Sequence, residues 1–282
     1  MKLIISICFI LLTTKAMSQT AFTIVNTGYA DALDILSIEG GEFKKIRFNH
    51  AAFIIKHNNK TILFETGIGS KIQDEFDESM PLWAKPAFNF KYVKSLKKQL
   101  PNFHYDKILL SHAHWDHAAG LTDGLGTTPT ISPEEHLELH PEHIAHHRTF
   151  PIHFKDNAPD KFKWTQSPYL HFKKHYDLFG DNKVILVPIP GHSFGSIGLI
   201  INGQKEKAFF VGDALWMEKQ LDSLAHKACL ASAIVDRDKK ELSATIRKIK
   251  IMRDKYKYKI IPTHDASVHD KFKYFPEWTL MD

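Results

Sequence analysis

The sequence predicts an α/β fold in which two β-sheets lie face to face with helices outside. Three observations lead there. Short apolar, β-rich runs fall into two sets, one before and one after a His- and aromatic-rich stretch at 133–180. Helical spacing of apolar residues stands apart from these runs, most clearly at Leu242, Ile246, Ile249 and Met252. The chain has 282 residues, of which 43% are hydrophobic and 24% charged, enough for a substantial core in an ordinary globular protein.

Each element follows from local pattern. The N-terminus, "MKLIISICFILLTTKAMSQT", has a short positive start at Lys2, an apolar run from Leu3 to Leu12 and small residues around Ala16 and Ser18. That order predicts a secretory signal peptide at 1–18, leaving one domain over 19–282 in the periplasm or the medium. The apolar run is short for a membrane span, so no stable membrane anchor is expected after cleavage. Phe22–Val25 and Leu33–Ile38 read as early strands. Ala52–Lys56 and Thr61–Glu65 read as a hairpin about His57-Asn58-Asn59-Lys60. Phe90, Val93, Leu96 and Leu100 are spaced for a helix, and Lys107–Leu110 for a buried strand. The insertion at 133–180 is expected to open with a helix over Pro133–His147. Strands then resume at Val184–Ile189, Ile197–Ile201 and Ala208–Val211. A helix at Lys239–Tyr256 and a strand at Lys259–Pro262 follow.

Only Cys8 and Cys229 are present. Removal of the signal leaves no intramolecular disulfide, and Cys229 reads as a small buried apolar residue. The formal charge of +5 comes from 37 basic and 32 acidic residues, which are scattered. No basic stripe with interleaved aromatics is present, which argues against a nucleic-acid partner and leaves a small-molecule substrate.

The chemistry is concentrated at strand ends. His112, His114, Asp116 and His117 follow Lys107–Leu110 in "SHAHWDH". His192 follows a strand in "PIPGHSFGS", Asp213 in "FFVGDA" and His264 in "IIPTHD". Strand ends on one rim gather distant residues about a point, and Gly191 and Gly212 allow tight turns there. A single zinc ion takes three or four such ligands. Seven suit two ions, with a carboxylate between them. Nitrogen and oxygen donors without thiolate point to zinc, or to manganese, iron or cobalt.

These motifs resemble those of the metallo-β-lactamase-fold hydrolases: "HAHWDH" the H-x-H-x-D-H signature, "GHSFGS" the second histidine element, "GDA" the aspartate and "THD" the last histidine. The resemblance implies an αββα four-layer sandwich of two mixed sheets flanked by helices. It implies that His112, His114 and His192 hold one metal, Asp116, His117 and His264 the other, and that Asp213 bridges them. The chain departs from the pattern at "ETG", where Glu65 stands in place of the usual aspartate. It departs again at Trp216, where the acyl-homoserine lactonases carry a tyrosine. Glu65 then reads as a residue orienting a ligand histidine or as a strand-end cap.

A dinuclear site generates a hydroxide that is nucleophilic at neutral pH. The expected reaction is attack by that metal-bridged hydroxide on the carbonyl of a small ester- or lactone-like substrate, with Asp116 passing a proton to the leaving group. Thioester hydrolysis is a variant. β-Lactam hydrolysis is an alternative, as is a metal-binding or sensing protein without turnover. The pairing of His117 with Asp213 places the chain nearer the lactonase and glyoxalase-II-like branches than true β-lactamases. Trp83 and Phe88 are candidate pocket residues, as are Phe90, Phe154, Trp164 and Tyr169. They read equally as satellite core, and Trp115 as packing beneath the loop. The histidines at 136, 140, 143, 146 and 147 read as a solvated helix face.

Overall fold

In the computed structural model, residues 20–282 are described, so the expected signal segment lies outside the described residues. Two mixed sheets stack face to face. The first has eight strands. In spatial order seven of them are Thr279–Leu280, Thr20–Leu33, Lys45–His57, Lys60–Phe64, Lys107–Leu109, Pro129–Ile131 and Asp160–Lys161, and the eighth, Lys91–Tyr92, pairs with Thr20–Leu33. The second has five: Lys259–Ile261, Lys207–Phe210, Ile197–Asn202, Val184–Pro188 and Tyr176–Asp177. The hairpin forms as expected, with Ile54 opposite Leu63 and Lys56 opposite Thr61.

Both faces of the central strands are covered, which explains why they read as continuous apolar runs rather than alternating ones. Ala51, Phe53 and Ile55 point inward with Leu186, Leu199 and Phe210 to form the layer between the sheets. Ala52 and Ile54 point outward under Leu96, Leu100 and Leu121. On the other side Ile185, Val187 and Ile200 meet Leu242, Ile246, Ile249 and Met252 of the helix Lys239–Asp254. That helix starts at Asp238, whose carboxylate accepts the Glu241 N–H at 2.8 Å. Each such apolar side chain, fully buried, contributes about 1.5–3 kcal/mol.

Several elements differ from expectation. Leu33–Ile38 is not a strand: the first strand runs to Leu33 and a helical turn, Asp34–Ser37, follows. The Ser37 hydroxyl donates to the Leu33 carbonyl, and Asp34 takes bonds from Glu42 N–H and Lys219, so polar contacts override an ambiguous apolar spacing. Of Phe90–Leu100 only Leu96–Gln99 is helical, because Lys91 and Tyr92 pair with Tyr29 and Gly28. Pro133–His147 holds one short 3-10 turn, Glu135–Leu139, rather than a helix. Pro141 disfavours helical backbone at the residue before it, and Glu135 and Glu138 turn inward. The histidines of this stretch therefore do not share a helix face. Cys229 is exposed, not buried, at the start of the helix Cys229–Val235. Among the described residues no helix is long and apolar enough to cross a membrane.

Candidate metal centre

The strand-end residues converge. The Lys107–Leu109 strand delivers His112, with His114, Asp116 and His117 in the turn beyond it. Gly191, at φ +120°, lets the His192 loop pass under the helix Lys239–Asp254, where a Cβ would lie 2.3 Å from the Leu242 nitrogen. His192 Nε2 lies 3.1 Å from His112 Nε2 and 2.9 Å from His114 Nδ1. Asp213 Oδ1 lies 3.2 Å from His117 Nε2 and 3.1 Å from His264 Nε2. Its other oxygen is 3.6 Å from His192 Nε2, so this carboxylate spans both groups. Asp116 Oδ2 is 3.3 Å from His264 Nε2. Within each of the groups His112–His114–His192 and His117–Asp213–His264 the donor atoms all lie within 4.8 Å of one another.

The outer nitrogens fix which atoms face inward. His192 Nδ1 is 2.8 Å from the Asp236 carboxylate and His264 Nδ1 is 2.7 Å from the Asn49 carbonyl, so both carry their proton outward. His112 Nδ1 pairs with the Ser111 hydroxyl at 2.7 Å. Burial, reinforced by the neighbouring imidazoles, pushes His112 and His114 well below the ordinary imidazole value. Burial and then the Lys227 charge lower His192. Neutral imidazole nitrogens therefore converge with their lone pairs on one point, an arrangement that favours a cation there. The second group is sandwiched by charge. Burial acts to lower His264, but Asp213 and Asp116 overcome it and raise it to about 10. Burial likewise opposes Glu65, Asp116 and Asp213 at His117, which is raised well above the ordinary value. Both nitrogens of His117, and Asp213 Oδ1, are buried without a hydrogen-bond partner. Orphaned buried donors and acceptors are costly, and a divalent ion between them would satisfy them. The donor set fits a pair of such ions.

Glu65 lies at the strand end beside His117. It sits in left-handed backbone at φ +66°, and its Oε2 accepts the Ser111 N–H at 3.1 Å. Its Oε1 lies 3.2 Å from His117 Nδ1, out of hydrogen-bond alignment. Trp216 turns its N–H onto Asp213 Oδ2 at 2.9 Å, so it holds the spanning carboxylate. Trp115 packs beneath the loop against Phe76 and Phe150.

Several residues escaped the sequence reading. His50, buried, faces Asp116 Oδ2 at 3.5 Å and forms a third group with Asp116 and His264. Glu135 accepts the N–H of Ala113 at 2.7 Å and of Gly195 at 2.9 Å, with the Ser193 hydroxyl at 2.6 Å. One carboxylate thus ties the His112–His114 loop to the His192 loop. Burial, and then Glu138, raise its carboxyl to about 8. Lys227 is buried, with Nζ 2.7 Å from Asp236 Oδ1 and 2.8 Å from the Asp213 carbonyl. Burial would raise Asp236, but Lys227 and His192 hold it below the usual carboxylate range. The one signal available in advance was a lone lysine in the otherwise apolar "HKACLASAIV".

Above the groups lies a cavity of about 610 Å³, floored by His114, Asp116, His192, Asp213 and His264. Its walls are Ala32, Leu33, Ile35 and Leu36, the adjoining Leu230, Ala231 and Ile234, and Phe48 and Phe88. Phe88 lines this cavity. Trp83 does not: it is exposed, with its ring 5.0 Å from His147. Phe90 packs against Trp115, and Phe154, Trp164 and Tyr169 pack on the core clusters instead of lining the cavity.

A layered α/β fold with clustered imidazoles and carboxylates at its strand ends defines a metal-dependent hydrolase. A sequence profile described as the Metallo-beta-lactamase superfamily matches residues 46–264. The chain belongs to that superfamily. Solved structures share the fold. AiiA from B. thuringiensis, a mutant with N-decanoyl-L-homoserine bound at its active site, superposes with a TM-score of 0.69 at 17% identity, covering 93% of this chain and 100% of that one. A probable metal-dependent hydrolase from Staphylococcus aureus gives 0.63 at 18%, with 87% and 89% covered. AidC, a dizinc quorum-quenching lactonase in complex with a product, gives 0.58 at 17%, with 92% and 89% covered. A comparison with curated protein sequences finds no match.

Proposed function

We propose that the protein is an exported dinuclear hydrolase of small ester- or lactone-like substrates with an apolar chain. The observation that carries this reading is the pair of adjoining donor groups, joined by Asp213, at the floor of an apolar cavity. His112, His114 and His192 would hold one divalent ion, Asp116, His117 and His264 the other, and Asp213 would serve both, with zinc first and manganese, iron or cobalt as alternatives. Such ions, when bound, supply a hydroxide at neutral pH and polarise a carbonyl. The chain does the rest. Asp236, Asn49 and Ser111 aim the imidazoles, and Trp216 holds Asp213. Asp116, which lines the cavity floor, would pass a proton to the leaving group. The apolar walls exclude water and take an acyl chain. Lactonases of the same fold carry acyl-homoserine products, which supports this substrate class. The pattern of residues 1–18 supports export.

Metal analysis of the mature protein, followed by a panel of esters, lactones, thioesters and β-lactams, tests the reading. Two ions per chain and turnover of esters or lactones are expected. A chain that holds two ions and turns over none of the panel would overturn it. So would one binding many ions without a defined pair, as a metal-capture protein does.

A further inference from the structure

The cavity walls are apolar apart from a few groups, and among its lining residues Arg148 is the one arginine or lysine. Its Nε is buried without a hydrogen-bond partner, and among the described residues its guanidinium makes no hydrogen bond or ion pair. The nearby carboxylates are engaged elsewhere. Glu138 accepts the Phe194 N–H at 3.0 Å and lies 3.7 Å from Arg237. Glu135 holds the two loops, and Asp236 is shared by His192 and Lys227. The segment itself is fixed: the Arg148 carbonyl accepts the Trp115 N–H at 2.8 Å, and its own N–H donates to Ala145 at 2.7 Å. Arg148 lines the cavity together with His114 and His192 of the first donor group.

An arginine stays charged at any working pH, and leaving it half-buried without a partner is costly. Burial does act on this guanidinium, pulling it below its ordinary value, with Glu138 opposing. Of the other polar groups lining the cavity, His50 faces Asp116 at 3.5 Å. Trp216 N–H is spent on Asp213, and His147 pairs with the Ile234 carbonyl.

We infer that Arg148 binds an anionic group, a carboxylate or a phosphate, carried by the substrate near its scissile carbonyl. This deepens the hydrolase reading and rests on it. The substrate is then an amphiphile: an apolar chain along Leu36 and Leu230, a hydrolysable carbonyl above Asp213, and an anion against Arg148. The planar fork of arginine suits two-point contact with either anion.

The test compares matched substrates on the metal-loaded protein: an octyl ester bearing a free carboxylate beside the scissile group, and its neutral methyl-capped analogue. The wild type should prefer the anionic ester about tenfold to a hundredfold in kcat/KM, the range of one charge-assisted contact. Arg148→Gln should erase that preference through KM and leave the neutral ester unchanged, and Arg148→Lys should restore part of it. An equal fall for both esters would overturn the inference, since Arg148 would then serve the reacting carbonyl. So would a wild type that turns over both esters equally, a result that leaves the hydrolase reading standing. If neither ester is cleaved, equilibrium binding of N-octylsuccinamate against its neutral methylamide decides. Preferential binding of the anion that Arg148→Gln abolishes supports the inference, and equal binding overturns it.

Discussion

Replacing Glu135 by alanine tests how the first donor group is held. The carboxylate accepts the backbone N–H of Ala113, which lies between His112 and His114, and of Gly195, three residues beyond His192. It also accepts the Ser193 hydroxyl, which can turn instead to Ser196 Oγ at 2.6 Å. Glu135→Ala therefore orphans two backbone donors, each costing about 1–3 kcal/mol when buried. The carboxyl is raised to about 8, so at pH 7 it is mostly protonated and its loss returns little charge-burial energy. The net cost is then about 2–6 kcal/mol, which for a chain of this size lowers the melting temperature by roughly 5–20 °C. Because the loops carry all three imidazoles of the first group, affinity for one ion should fall about tenfold to a hundredfold while the other is retained. Differential scanning calorimetry and chelator competition measure both. A variant that melts within a degree of the wild type and holds two ions equally well would refute the argument that this carboxylate fastens the loops.

Other outcomes follow from the same geometry. Asp213→Ala removes the carboxylate whose two oxygens face both groups, and should lower turnover by more than about a hundredfold and the ion count below two. Trp216→Phe keeps the ring against Phe48 but frees Asp213 Oδ2, and ion affinity measured by chelator competition should drop about tenfold. Without ions, His264 at about 10 and His117, also raised, hold protons at pH 7 that an ion must displace. Ion uptake at pH 7 should therefore release protons, and affinity should fall as pH falls. Titration calorimetry in buffers of different ionisation enthalpy reads this, and buffer-independent heats would contradict it. Ala231→Trp narrows the cavity, and should raise KM for long acyl chains while sparing short ones.

The donors were legible because their signals are local. His112 to His117 lie within one turn, and His192, Asp213 and His264 each close an apolar strand run. The residues that hold them were not. Glu135 reaches Gly195 across 60 positions and Asp236 reaches His192 across 44, with no periodicity to mark either. The layered sheets were readable from runs buried on both faces. Leu33–Ile38 was misread because its apolar spacing suits a strand as well as a turn, and side-chain bonds from Ser37 and Asp34 decide between them. The cavity walls were sought among aromatics, but beside Phe48 and Phe88 they come from aliphatic residues at 33–36 and 230–234.

The helix Cys229–Val235 has a double allegiance. Leu230, Ala231 and Ile234 shape the cavity, while Lys227 and Asp236, just beyond its two ends, brace each other and His192. Any mutation that tilts this helix to admit a new guest also tugs on an imidazole. Directed evolution toward altered chain preference should therefore accumulate its changes at Leu33, Ile35 and Leu36, which line the cavity outside that helix. There, side chains can vary without loosening the ions' grip.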